Sequence, residues 1–181
     1  MTAPKRTTGN DHAWSEQGSP ALYTFQPMTA DNACAVLGWR YAEPYTFYNA
    51  DPAYFDEDLA ALLDPRHHYY TLHDAAGQLC GFCCFGYDAR VPGGDYEDRE
   101  ALDVGLGIHP DLVGQGRGGP FLAAILDFAR AEFAPPRFRA TVAGFNPRSR
   151  RMFEKAGFGE AVHFLSHSEP PLEFVILVRR A

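Results

Sequence analysis

The sequence predicts a mixed α/β or α+β fold, a sheet with helices packed on it. Three observations predict it. Apolar residues are 46% and charged residues 22% of 181 residues, an ordinary globular composition. Stretches with a strand's two-residue period alternate with stretches of helical period, in the order strand, two helices, three strands, helix, strand, helix, two strands. The length suits one domain, read as 21–181, behind a polar tail at 1–20 with no periodicity.

Leu22 to Gln26 alternates as a short strand. Thr29 caps a helix that Gly38 stops after Leu37. The aromatic stretch Trp39 to Tyr48 has neither period, and Pro44 interrupts it. Asp51-Pro52 starts a second helix, whose apolar face is Phe55, Leu59, Leu62 and Leu63. His68 to His73 and Leu79 to Tyr87 form a hairpin around the turn Asp74 to Gly77. After an acidic loop, Asp88 to Glu100, the strand Ala101 to Ile108 runs into a glycine-rich loop, His109 to Gly119. Pro120 to Phe133 is helical, and Pro135-Pro136 follows it. Phe138 to Phe145 is a strand. Asn146-Pro147 opens a helix through Ala156, with Gly157 in the C′ position. Val162 to Ser166 and Leu172 to Val178 read as an antiparallel pair.

Composition excludes several classes. The net charge of -7, from 23 acidic against 16 basic residues, argues against a general nucleic-acid binder. No apolar run reaches the ~18 residues of a membrane helix. The first 20 residues hold no signal-like apolar core, so a cytoplasmic location is expected. Cys80, Cys83 and Cys84 lack the second pair of a zinc knuckle and read as small buried apolar side chains, reduced in that compartment. His67, His68, His109, His163 and His167 show no ligand spacing, so no metal is expected.

The informative segment is Gly107 to Pro120. Gly114, Gly116 and Gly118 leave the backbone free to turn its N–H groups toward an anion, at the positive end of the following helix. A pyrophosphate suits that arrangement. Gly114-x-Gly116-x-x-Gly119 matches the dinucleotide fingerprint literally, but the strand ends too early and no acidic residue lies near 134–140. No Gly-Lys-Ser/Thr follows, which excludes a P-loop.

The segment Val113-Gly114-Gln115-Gly116-Arg117-Gly118 resembles the cofactor motif of the GNAT superfamily, Arg/Gln-x-x-Gly-x-Gly/Ala between a strand and a helix. Val113 departs from its first position. Asn146 to Phe158, an Asn opening a helix that ends in Gly-Phe, resembles the family's second element. The resemblance runs from about Leu22 to Val178. It implies a twisted, mostly antiparallel sheet whose two central parallel strands, Ala101–Ile108 and Phe138–Phe145, splay apart around acetyl-CoA.

The same resemblance implies an N-acetyltransferase acting by direct attack of a primary amine, from a small molecule or a peptide. Leu106, Gly107 and Ile108 would pair with pantetheine, and the loop from Val113 through Gly119 would hold the diphosphate. Asn146 would serve as helix cap and pantetheine contact. Arg117, Arg148, Arg150 and Arg151 would reach phosphates. Asp103, on the face shared by Gly105 and Gly107, is the expected base, with Glu97 and Glu100 as rivals. The family's thiolate-protonating Tyr falls at Phe153, which cannot donate a proton. The thiolate then leaves unaided or finds another donor. That departure keeps a non-catalytic acyl-CoA binding or sensing module as the alternative. The aromatic stretch would wall the acceptor cleft, and the acidic loop either attracts a cationic amine or is simply solvated. Oligomeric state is left open, a homodimer included.

Overall fold

The computed structural model describes residues 22–181; the expected tail at 1–20 lies outside them. Seven strands are β1 (Thr24–Pro27), β2 (Tyr70–His73), β3 (Leu79–Phe85), β4 (Ala101–Ile108), β5 (Arg137–Ala143), β6 (Gly159–Leu165) and β7 (Glu173–Arg180). Four helices are α1 (Ala30–Leu37), α2 (Phe55–Leu63), α3 (Gly118–Phe133) and α4 (Pro147–Lys155). The sheet order is β1-β2-β3-β4-β5-β7-β6. Every neighbouring pair is antiparallel except β4 and β5, which are parallel.

That parallel pair is short. Ala101, Leu102 and Asp103 pair with Arg137, Phe138 and Arg139, and the ladder then stops. Beyond it β4 stays paired only with β3 and β5 only with β7. The rest of β4, Val104 to Ile108, therefore presents one edge without a strand partner. The expected splay is present, and its apex is the Asp103–Arg139 step.

Local chemistry sets the helix ends. Thr29 Oγ1 accepts from the Asn32 N–H at 3.3 Å, and Asn146 Oδ1 accepts from the Ser149 N–H at 3.0 Å. Asp51 caps a 3-10 turn at Pro52–Tyr54, and α2 itself starts three residues later than the Asp-Pro signal suggests. Helix α3 begins at Gly118, inside the glycine-rich loop and two residues before the expected Pro120. The aromatic connection contains a short 3-10 turn at Thr46–Tyr48.

Helices α3 and α4 cover one face of the sheet. Phe121, Leu122, Ile125, Leu126 and Ala129 of α3 join Leu72, Cys83, Phe85, Val104 and Phe138 in one core. Fully burying a side chain such as Phe85 or Phe138 contributes about 1.5–3 kcal/mol. A smaller cluster, Ala33, Leu37 and Leu62, joins α1 to α2 and takes in Tyr69. The strand cysteines are buried and free, and burial pushes the Cys84 thiol up to about 12. They serve as small core side chains, as their setting in an apolar run suggested.

Candidate active site

A cleft of about 1080 Å³ opens where β4 and β5 part. Its floor is β4 from Val104 to Ile108 with Thr141 and Val142 of β5. One end is the loop and the start of α3, from Val113 to Gly119. Asn146 and the first turns of α4 form a side, and Trp39, Tyr41, Tyr45 and Tyr48 form the wall. The β4 edge and the loop that follows it thus converge with Asn146, although α3 and β5 separate them from it in the chain. Gln115 is apart: its side chain folds back, donating to the Asp111 carbonyl at 2.6 Å, and does not line the cleft.

The loop's backbone chemistry is unusual. Gly114 and Gly116 have φ of 84° and 75°, the left-handed region where a side chain is strained. A Cβ at either position would meet nothing within 4 Å, so the backbone faces open space. Among the described residues, the N–H groups of Gly114, Gln115, Gly116 and Arg117 find no acceptor. No side chain caps α3 either. A helix start normally fills its free donors; this one, among the described residues, leaves them without a partner, at a loop that lines the cleft. Arg117, Arg148, Arg151 and Lys155 line the same cleft, and among the described residues none lies within ion-pair distance of a carboxylate. Arg150 differs, being engaged by Glu154 and Glu160.

Gly107 has a separate reason to be glycine. A Cβ there would lie 2.4 Å from the Phe82 ring, which stacks over the strand beside Trp39. The Tyr41 hydroxyl donates to the Ile108 carbonyl at 2.9 Å, tying the aromatic wall to the β4 edge. Asn146 Nδ2 donates to the Tyr48 hydroxyl at 3.1 Å. Burial raises the Tyr48 phenol above its ordinary value, and burial followed by neighbouring Tyr48 pushes Tyr41 up to about 12.

A family model for the GNAT acetyltransferase domain matches residues 14–159, some four-fifths of the chain. The chain belongs to the GNAT acetyltransferases. No curated protein matches it in sequence. Solved structures match the fold. A chimera of the Vibrio cholerae spermidine N-acetyltransferase SpeG with hSSAT superposes with TM-score 0.68 at 15% identity, over 88% of this chain and 95% of that one. A GNAT-family acetyltransferase from Bacillus anthracis gives 0.67 at 14%, over 88% and 95%. A second SpeG chimera from Vibrio cholerae and hSSAT gives 0.63 at 19%, over 88% and 96%.

In this N-acetyltransferase the expected base, Asp103, is corrected. Its side chain is 2% exposed and it does not line the cleft. Arg139 Nε donates to one oxygen at 2.5 Å, while Arg139 Nη2 and Arg90 Nε donate to the other at 2.9 and 2.7 Å. Tyr96 stacks against both guanidinium groups. A carboxylate saturated by two cations has neither access to an acceptor nor an oxygen to spare; it locks the apex of the splay. Its rivals fare no better, since Glu97 and Glu100 are exposed and outside the cleft lining, and Glu100 pairs with Arg137.

Phe153 is 3% exposed, packs edge-on against Phe158 and closes the cleft without a polar atom. The carboxylates that line the cleft among the described residues are Asp58 and Asp88. Asp58 is raised by burial and then by Glu57 and Asp51. In sequence it belongs to an acidic run, Asp56 to Asp58, that reads as first-turn compensation of the helix dipole, so no signal marked it. Among the described residues no group of three or more His, Cys, Asp or Glu side chains is placed to hold a metal, and no helix is long and apolar enough to cross a membrane.

Proposed function

We propose that this cleft binds acetyl-CoA, with the diphosphate in the 113–119 loop and the pantetheine along the free edge of β4, and that the acceptor is a primary amine of a small molecule or peptide. The observation that carries this is the set of unsatisfied N–H groups from Gly114 to Arg117, followed by an uncapped 16-residue helix. Four cations without a carboxylate partner among the described residues, Arg117, Arg148, Arg151 and Lys155, line the same cleft in a chain of net charge -7, which supports a polyanionic ligand. Asn146 Oδ1 caps α4 and one Nδ2 hydrogen goes to the Tyr48 hydroxyl, which leaves the second Nδ2 hydrogen for pantetheine.

The cleft is also lined by Asp58 and Asp88 and by a wall of tyrosines, a setting for a cationic amine. Backbone N–H groups on the free edge of β4 would stabilise the oxyanion developing on the thioester, each donor contributing on the order of 3 kcal/mol. An intracellular site, where acetyl-CoA is available, accompanies this reading.

The test reads binding and turnover separately. CoA raises the melting temperature of the wild-type protein, and thiol is released from acetyl-CoA when an amine panel is supplied. A CoA shift without thiol release from any amine would favour a non-catalytic binding module; a shift with NAD and none with CoA would reject the loop assignment.

A further inference from the structure

Resting on the acetyl-transfer reading, we propose that Asp88 is the base that takes the proton from the acceptor ammonium, and that His67 positions it. Asp88 follows β3 by a few residues. The β3–β4 ladder ends at Phe85 and Val104, and the Gly86 N–H then donates to the Asp103 carbonyl at 3.0 Å. The following turn, Tyr87–Ala89, is thereby laid against β4 where β5 departs. A Cβ on Gly105 would lie 2.7 Å from Cys84 Sγ and 3.4 Å from Ala89 Cβ, so this glycine lets the turn close down on the strand. Asp88 therefore stands over the β4 residues that floor the cleft, on the face where Asp103 was expected to act.

Its surroundings hold the carboxylate still. Asp88 Oδ2 is 3.0 Å from His67 Nδ1, and the same nitrogen is 3.0 Å from the Ala61 carbonyl. Both neighbours are acceptors, so Nδ1 must carry the proton and the His67 tautomer is set. Asp64 caps the Pro65–His67 turn and fixes the ring's origin. The other titratable groups against Asp88 are Tyr69 and Cys84; Tyr69 is raised by burial, then by Cys84 and Asp88, and stays protonated. The Asp88 side chain is 17% exposed, open on the cleft side and otherwise enclosed. Unlike Asp103, which is held by two guanidinium groups, Asp88 meets a single imidazole and lines the cleft.

The chemistry balances without another reactant. Asp88 accepts one proton from R–NH3⁺, and the free amine attacks the thioester carbonyl carbon. The N–C bond forms, the C–S bond breaks and its electron pair stays on sulfur. The second proton shed by nitrogen ends on that sulfur as the thiol, and the proton on Asp88 passes to solvent.

Butylamine, benzylamine, glycinamide and trifluoroethylamine, in order of falling basicity, are offered to the full chain with acetyl-CoA. Asp88→Asn should lower kcat for butylamine about 100-fold, with the KM for acetyl-CoA and the CoA thermal shift unchanged. The deficit should shrink along the series, because weaker bases need less help in losing a proton. Asp88→Glu should retain more turnover than Asp88→Asn, and His67→Gln should show a smaller loss with the same dependence on basicity. Wild-type turnover in Asp88→Asn, an equal deficit for all four amines, or Asp88→Glu falling below Asp88→Asn would overturn the assignment. A wild-type protein that binds CoA yet releases no thiol from any of the four would overturn the transfer reading itself, and the role of Asp88 with it.

Discussion

Three N–H donors converge on the Asp103 carboxylate in the protein interior. Its partner Arg139 is 4% exposed at the side chain. Asp103→Ala would leave that guanidinium charge buried without a counter-ion, so a loss of about 3–5 kcal/mol is expected. Denaturant unfolding measures it. Variant protein that remains folded should still show a CoA shift, because Asp103 lies outside the cleft lining; loss of CoA binding from a folded variant would return Asp103 to the site. The sequence places this residue on the correct face, since odd positions of β4 share it with Gly105 and Gly107. What two-residue alternation cannot reveal is the occupant of that face. Arg90 arrives from 13 residues upstream of the chain's Asp103 and Arg139 from 36 downstream.

The loop and helix α3 act together. Gly116 combines a φ of 75° with open space beside its Cα. A side chain there incurs a left-handed penalty of about 1–2 kcal/mol and projects into the proposed diphosphate site. Gly116→Trp is therefore expected to fold, with a modestly lowered Tm, and to lose the CoA thermal shift. An unchanged CoA affinity would reject the loop as the binding element. At the sheet edge, His163 of β6 lies 3.0 Å from Glu173 of β7 and 3.3 Å from Glu160. Bonding to Glu173, then to Glu160, raises its pKa above 6.5. A raised folded-state value means that its contribution is fully present below 6.5 and is lost as pH rises through the raised value. His163→Gln should lower the denaturation midpoint on the acid side and leave it unchanged at alkaline pH. Equal effects on both sides would assign the residue a packing role only. The glycine and cap signals were legible because one residue type dictates one backbone state: Asn146 and Thr29 cap as expected. The start of α3 was not, since Gly118 and Gly119 are poor helix formers that the following Phe121, Leu122 and Ile125 draw into the helix by burial.

Charge is distributed unevenly over the protein. The chain is acidic, yet four cations that have no carboxylate partner among the described residues, Arg117, Arg148, Arg151 and Lys155, line the same cleft as Asp58 and Asp88. A ligand bound there at a hundredfold excess over its Kd stabilises by about 2.7 kcal/mol. For a chain of this size, at about 2–4 °C per kcal/mol, CoA should raise Tm by roughly 5–11 °C. The shift should fall with ionic strength, as screening shortens the reach of Arg117, Arg148 and Arg151. A salt-independent shift would leave the backbone amides as the whole of the site.

Sequence alone settled the order of elements, the position of the glycine-rich loop, the Asn-capped helix and the family they imply. Each is encoded within a few neighbouring residues, where glycine freedom, capping and apolar period act directly. Tertiary structure decided which carboxylate is spent on holding the sheet and which is left over the open strand. That choice follows from the three-residue ladder between β4 and β5 and from the turn after β3, contacts between distant segments that leave no mark on either segment separately.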